Sequence, residues 1–464
     1  MRRLWSLVFG LGPCLWAAQT DSALLRPPEH SQWGYAVMDA KTGKMLAEDG
    51  GRLFLIPASA VKLFTTAFVL DKMDAARRFP TTLYRAGKIE NGILRGDLWI
   101  RGGGNPALGS ERGDSSQRPE AVFGLFAEAL RNAGIRAVQG TVYGDASLLP
   151  AEAPEWGALW EDVGNYYGAT PSGLCFHDNF YTLRLRDEKG ALAVQGVSPP
   201  YAGISRFQIT AHNIGSNGDS CFILGAFWNA PRVIAGNCPA SAEKPLDIKG
   251  SLPDPAWTCA RNFEDFLRGH GIIVQGSANR SDDPLPSPRA APADTVRLAV
   301  HLSPPLSDLI RMVHAKSDNL YAAQLLALAG GFLALKKWLA ENGIAEELHL
   351  VDGTGLSLQN RVTPAAFAQA LARLAGKSGF EAWKASLNPA RSLPIKATAE
   401  ALDFQAKSWV KTGSMTGISA MAGYAQARSG RLLAFAILVN HFEEPSSSVR
   451  DHGTALLQAW RARY

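Results

Sequence analysis

The chain has 464 residues, 46% of them hydrophobic and 19% charged, the balance of a packed globular protein long enough for two or three domains. Its formal charge of +5 is modest and comes partly from two N-terminal arginines, so it gives no argument for nucleic acid and at most a weak attraction to an anionic envelope. Among 5 cysteines and 9 histidines there is no Cys-x-x-Cys or His-Glu-x-x-His pattern, which leaves a metal, or any other cofactor, without support.

Arg2 and Arg3, an apolar stretch from Leu4 to Trp16 and then Ala17-Ala18 have the layout of a cleavable signal peptide over residues 1–18. Gly10, Gly12 and Pro13 break that run, which is too short for a membrane span, and Pro13 directly before Cys14 does not fit a lipid-attachment signal. Export predicts a periplasmic or secreted protein, with peripheral membrane association and oligomeric state left open. Four cysteines then remain: Cys175, Cys221, Cys238 and Cys259. An oxidising compartment permits disulfides; Cys221 and Cys238 are the nearest pair, although spacing does not fix connectivity.

Further along, Tyr35–Met38 and Lys44–Leu46 flank Lys41-Thr42-Gly43, which reads as a hairpin turn. Pro57-Ala58 then precede Ser59 and the apolar run Leu63 to Leu70, a buried helix with proline near its start and Ser59 at its N-terminus. In Ser59-Ala60-Val61-Lys62 the i, i+3 spacing brings an amine beside a hydroxyl. From about residue 82 to 296 the chain reads as short strands, such as Gly96–Arg101, with helices near Ala121–Ala133 and Ala260–His270 among glycine and proline turns. Helices follow near Leu306–Met312, Asn319–Leu328 and Thr363–Leu374; Ser317-Asp318-Asn319 caps or opens the second of these. Ser408-Trp409-Val410 leads into Lys411-Thr412-Gly413 on an expected edge strand, followed by a hairpin over Ala420–Asn440 and a helix near Val449–Ala462.

None of the three short motifs is informative alone. Ser241 to Lys244 and Ser408 to Lys411 also fit Ser-x-x-Lys, Ser277-Ala278-Asn279 and Ser386-Leu387-Asn388 fit Ser-x-Asn, and Lys41-Thr42-Gly43 repeats the third. Order and local context separate signal from decoy. Ser59 is then a nucleophile whose proton Lys62 takes, provided burial and nearby positive charge keep a lysine deprotonated. Lys411 supplies such a charge and a cation for a substrate carboxylate, and Thr412 adds a hydroxyl. Gly413 permits close backbone approach, so that the N–H groups of Ser59 and Ser414 can form an oxyanion hole. The same trio marks penicillin-binding proteins and class A β-lactamases. A compact β-lactamase has no room for the 258 residues separating Ser59 from Ser317.

Besides the trio, Gly102 to Leu108, Tyr166 to Ala169 through Leu174 and Asp178-Asn179, and Asp352 to Ser357 give the chain its resemblance to the low-molecular-mass class C penicillin-binding proteins, of the penicillin-binding protein 4 type. The resemblance implies an α/β (α+β) fold, a penicillin-binding-protein-like and serine β-lactamase-like transpeptidase core, with one or two inserted β-rich domains. The halves of the catalytic domain would be residues 19–81 and 297–464, and the insertion residues 82–296. It implies a serine-type D-Ala-D-Ala carboxypeptidase and endopeptidase acting on peptidoglycan stem peptides and acylated by β-lactam antibiotics. Ser59 would be the nucleophile, Lys62 its base, Ser317 and Asn319 the proton relay and amide holder, and Lys411, Thr412 and Gly413 the carboxylate site.

The chain also departs from the family. Asn105 stands where Asp is usual, and Leu358 where an arginine commonly binds the stem peptide's side-chain carboxylate. Arg361 is either its substitute or an ordinary surface arginine, and Asp162 either binds a side-chain amine or caps a turn. The rival functions are a catalytically degenerate binding or scaffold protein and a serine β-lactamase.

Overall fold

The computed structural model describes residues 21, 23–149, 157–200, 207–213, 220–225, 232–241, 243–276, 291–344, 346–387 and 399–464. The expected signal peptide lies outside them. Two compact units are present. The first draws on described residues of Met1–Asp74, Ile310–Asp318 and Ala329–Tyr464, the second on those of Ala75–Leu309 and Asn319–Leu328.

A five-stranded sheet organises the first unit, in the order Ser408–Met415, Ile418–Gln426, Leu432–Asn440, Gln32–Asp39, Met45–Asp49, and every pairing is antiparallel. Side chains alternate between its faces. Tyr35, Val37, Met421, Phe435 and Ile437 pack with Leu456, Leu457 and Trp460 of the C-terminal helix Ser446–Arg463, whereas Ala36 and Met38 pack on Ala368 of the helix Pro364–Ala375. With both faces covered, Ile418–Gln426 and Leu432–Asn440 are buried almost throughout, which is why they read as continuous apolar runs. The hairpin turn at Lys41-Thr42-Gly43 is present, with Gly43 at a φ of 69° and its N–H bonded to the Asp39 carbonyl. Thr363 caps the helix Pro364–Ala375 by accepting from the Ala366 N–H at 3.2 Å, so the helix begins one residue later than the sequence suggests.

The second unit holds a larger sheet in the order Ile273–Val274, Ala137–Val138, Ile93–Gly102, Pro80–Glu90, Val296–Leu302, with Val142–Asp145 also pairing to Ile93–Gly102. Helices Pro119–Asn132 and Pro255–Gly269 bury Phe123, Phe126, Phe263 and Leu267 against its Leu98 and Ile100. Both helices start earlier than expected, each with proline in its first turn. Two three-stranded sheets share a smaller core of Tyr181, Leu183, Ile223, Ile234 and Ile248. Cys221 and Cys238 form a disulfide beside the paired ends of the strands Phe222–Leu224 and Arg232–Ala235, while Cys175 and Cys259 are free and buried.

Candidate active site

In the first unit, the segment entering the turn that carries Ser59 is pinned to the sheet. Asn440 accepts the Ile56 N–H at 2.7 Å and returns its own side-chain N–H to the Ile56 carbonyl at 3.2 Å. Ala58 then takes a φ of 43°, a left-handed conformation that costs a non-glycine residue energy and recurs where geometry is constrained by function. Ser59 lies in a 3₁₀ turn, Ala58–Val61, and the α-helix proper is Lys62–Lys72. Ser59 thus sits at the N-terminus of the helix, as the sequence suggests, but in a 3₁₀ turn rather than an α-helical one. The tighter turn gives the same pairing more directly, because residues three apart eclipse in a 3₁₀ helix. Lys62 Nζ is 2.9 Å from Ser59 Oγ and 2.6 Å from the Thr354 carbonyl oxygen, and the lysine is wholly buried.

The third motif does lie on an edge strand, Ser408–Met415. Gly413 is obligatory there: a Cβ would come within 2.7 Å of the Ser59 backbone nitrogen. Gly355 approaches from another side, where a Cβ would meet the Ala58 carbonyl oxygen at 1.9 Å. Thr412 is half-buried and Ser414 exposed. Lys411 is buried and donates to Ser317 Oγ at 2.8 Å and to the Thr412 carbonyl at 2.6 Å. Ser317 follows the helix Leu306–Lys316 at a φ of 54°, a second strained non-glycine residue. Burial, and then the charge of Lys62, hold the Lys411 ammonium well below the ordinary lysine range. The first unit thus brings together Ser59, Lys62, Ser317, Lys411 and Gly413 from three separate stretches of chain.

Asn319 opens the helix Asn319–Leu328 of the second unit, and its side-chain N–H donates to the Tyr167 carbonyl at 2.9 Å. Asp162 belongs to the same unit, in the short helix Trp160–Val163. It is buried, Oδ2 has no hydrogen-bond partner among the described residues, and burial followed by the neighbouring Glu161 pushes its carboxyl up to about 6. The Leu159 backbone and the Tyr167 side chain hydrogen-bond the same carboxyl and pull it back down. Arg361, in the first unit, is exposed on a two-residue strand opposite His349, and Leu358 is exposed as well. Asn105 is structural: it accepts the Ala107 N–H at 2.9 Å and donates to Gln117 Oε1 at 2.9 Å, which also lies 3.0 Å from His301 Nε2.

Two residues of the first unit had no assigned role in the sequence. Asp352 accepts five hydrogen bonds, from the N–H groups of Thr354, Gly355 and Ser357, the Thr354 hydroxyl and the Asn360 amide. That fold of the loop aims the Thr354 carbonyl at Lys62, and the Gly353 carbonyl at Thr65 Oγ1, 2.5 Å away. Asp-Gly-Thr-Gly is a readable turn signal, but nothing in it names Lys62 as the target. The other residue is His314, almost wholly buried and close enough to feel the charges of Lys411 and Lys62, where burial pushes its imidazole down to about 3.

The sequence model described as the D-Ala-D-Ala carboxypeptidase 3 (S13) family matches residues 16–461. The chain is 25% identical over 464 residues to D-alanyl-D-alanine carboxypeptidase DacB of Haemophilus influenzae, covering 94% of this chain and 91% of that one. It is 26% identical over 472 residues to a D-alanyl-D-alanine carboxypeptidase of an Actinomadura species, covering 91% and 81%. The crystal structure of penicillin binding protein 4 from H. influenzae superposes with a TM-score of 0.74 at 22% identity, over 95% of this chain and 99% of that one, so the two share a fold.

Proposed function

Because the chain belongs to the D-Ala-D-Ala carboxypeptidase 3 (S13) family, we propose that it hydrolyses peptidoglycan stem peptides at D-Ala-D-Ala termini and at D-alanyl cross-links, through an acyl-enzyme on Ser59. The observation that carries this reading is Ser59 Oγ at 2.9 Å from a buried lysine amine, with a second buried lysine on Ser317. Two buried ammonium groups this close do not both stay charged in comfort, and the pair gives up a proton more readily than an isolated lysine. A substrate's terminal carboxylate beside Lys411 and Thr412 favours the charged form of Lys411. The proton lost is then the one on Lys62, which becomes the base for Ser59.

Attack by Oγ on the D-alanyl carbonyl carbon transfers the hydroxyl proton to Lys62 and places negative charge on the carbonyl oxygen. The N–H groups of Ser59 and Ser414 stabilise it, an arrangement favoured by the close packing of Gly413 on the Ser59 backbone. Ser317 passes a proton to the departing amine, Asn319 holds the substrate amide, and water then hydrolyses the ester. Asp162, with one oxygen unpartnered among the described residues and a carboxyl that burial pushes up to about 6, suits a side-chain amine of the stem peptide. Arg361, exposed, is available to a side-chain carboxylate. A β-lactam takes the same route and leaves slowly; the H. influenzae relative has been solved complexed with one. The Cys221–Cys238 disulfide supports export to the periplasm or beyond.

The test is intact mass after incubation with benzylpenicillin, for the mature protein and for Ser59→Ala. The expected result is an adduct of one drug molecule on the wild type and none on the variant. A folded wild type that neither binds nor consumes the drug would identify a degenerate scaffold, and rapid hydrolysis without an adduct a β-lactamase.

A further inference from the structure

Three segments of the first unit meet on one imidazole that the acyl-transfer chemistry does not use. His314 sits in the helix Leu306–Lys316, one turn ahead of Ser317, and is almost wholly buried. Its Nε2 lies 2.9 Å from Thr66 Oγ1 on the nucleophile helix, and its Nδ1 lies 3.2 Å from Ser386 Oγ on the helix Phe380–Ser386. Thr66 is one turn beyond Lys62, and its hydroxyl is 2.8 Å from the Lys62 carbonyl oxygen. Trp383 completes the enclosure: its indole N–H donates to Thr66 Oγ1 at 3.0 Å, and its carbonyl accepts the Ser386 hydroxyl at 2.6 Å.

Counting hydrogens shows why the contact matters. Thr66 has one hydroxyl hydrogen and three acceptors within reach, the Lys62 carbonyl at 2.8 Å, the more distant Leu63 carbonyl at 3.4 Å and a bare His314 Nε2. With the imidazole proton on Nε2, that N–H donates to Thr66 Oγ1, and the hydroxyl hydrogen stays on the Lys62 carbonyl. Ser386 must then turn its own hydrogen to Nδ1 and give up the Trp383 carbonyl. With the proton on Nδ1 the pattern reverses: Nδ1–H donates to Ser386 Oγ, Ser386 keeps the Trp383 carbonyl, Thr66 turns to His314 and the Lys62 carbonyl loses that donor. Either way Thr66 and His314 tie the turn carrying the base to the turn carrying Ser317. A side chain at 314 without a polar end near Nε2 removes the tie.

We propose that His314 is a positioning residue for acylation, acting through Thr66 to hold Lys62 in register with Ser59 and Ser317. This rests on the reading of Ser59 as nucleophile and Lys62 as base. His314 touches no reacting atom, so the predicted loss falls on the rate constant of acylation and leaves the affinity for the drug nearly unchanged. Burial, which keeps the imidazole uncharged, fits the role, since a third cation beside Lys62 and Lys411 would oppose it.

The experiment is saturation kinetics of benzylpenicillin acylation, separating the dissociation constant from the acylation rate constant, with thermal melting of each variant alongside. His314→Leu is expected to lower the rate constant about tenfold, the scale of one buried hydrogen bond, with the dissociation constant within about twofold of wild type. His314→Gln, whose amide reaches the Nε2 position, is expected to restore most of that rate; His314→Asn, whose amide reaches only the Ser386 side, is not. Thr66→Val is expected to reproduce the loss and Thr66→Ser to avoid it, and this pair carries the test if His314→Leu does not fold. Equal rates for Gln and Asn, a wild-type rate for folded Thr66→Val, or a loss confined to the dissociation constant would overturn the proposal. A wild type that is not acylated at all would instead sink the catalytic reading, and this inference with it.

Discussion

Lys62 can act as the proposed base for Ser59 only while its Nζ stays within hydrogen-bond reach, and that placement depends on the Thr354 carbonyl 2.6 Å away. The carbonyl is aimed in turn by Asp352, whose two oxygens accept five hydrogen bonds inside one short loop. Asp352→Asn keeps the size of the side chain but turns an N–H₂ toward donors. Two of the five, the Ser357 N–H and the Asn360 amide, then face another donor. The cost of such unsatisfied groups is about 1–3 kcal/mol. We therefore predict an Asp352→Asn protein that melts several degrees lower and is acylated at least ~10-fold more slowly by benzylpenicillin, since about 1.4 kcal/mol of lost positioning suffices. Stopped-flow acylation and a thermal melt measure both; an unchanged acylation rate in a folded variant would show that the loop serves stability alone.

At the scale of elements, the edge strand Ser408–Met415 is the part whose packing leaves least room. Gly413 lies so near the nucleophile turn that a Cβ would sit 2.7 Å from Ser59 N, 2.9 Å from the Pro57 carbonyl oxygen and 3.0 Å from Ala58 Cβ. Two of these atoms are backbone and cannot swing aside. Gly413→Ala must push the strand from the turn, while its ladder to Ile418–Gln426, eight residue pairs long, holds the remaining fold together. The expected variant is folded, with a near-native circular dichroism spectrum, and loses at least ~100-fold in acylation, the scale seen when an oxyanion donor is removed. Retention of more than a tenth of the wild-type rate would contradict this account of the strand. Such elements were legible before any coordinates: the Ser-x-x-Lys spacing encodes a contact within one turn, and strands buried on both faces leave unbroken apolar runs. The helices Gly331–Glu341 and Phe380–Ser386 were not foreseen, and strands of three residues such as Phe207–Ile209 and Phe222–Leu224 are too short to show a period. The contact of the Thr354 carbonyl with Lys62 spans 292 residues of sequence, a separation that local pattern does not carry. His314 lies beyond the helix expected at Leu306–Met312 and carries no local signal of its own; only packing shows that it is enclosed.

For the molecule as a whole, buried titratable groups set how stability responds to acid. His314 has its folded pKa pushed down to about 3 and His301 is lowered by burial, so each is neutral when folded and takes up a proton when unfolded, below an ordinary value of roughly 6.5. The unfolded chain therefore binds more protons in that window, and stability falls as pH falls. Between pH 7.5 and 5.5 a fully enclosed histidine such as His314 contributes a loss of about 1.4 kcal/mol. Asp162 acts with the opposite sign: its folded pKa of about 6 exceeds the ordinary value near 4, so acidification to pH 5.5 protonates the folded form and returns roughly half as much. Urea midpoints at the two pH values, for wild type, His314→Gln and Asp162→Asn, separate these contributions. His314→Gln is predicted to flatten the acid loss relative to wild type. Asp162→Asn is predicted to steepen it, while raising stability at pH 7.5, where the native carboxylate is buried with one oxygen unpartnered. A His314→Gln protein that loses as much stability as the wild type would mean that the imidazole is already protonated when folded, and a third cation would then share the enclosure with Lys62 and Lys411.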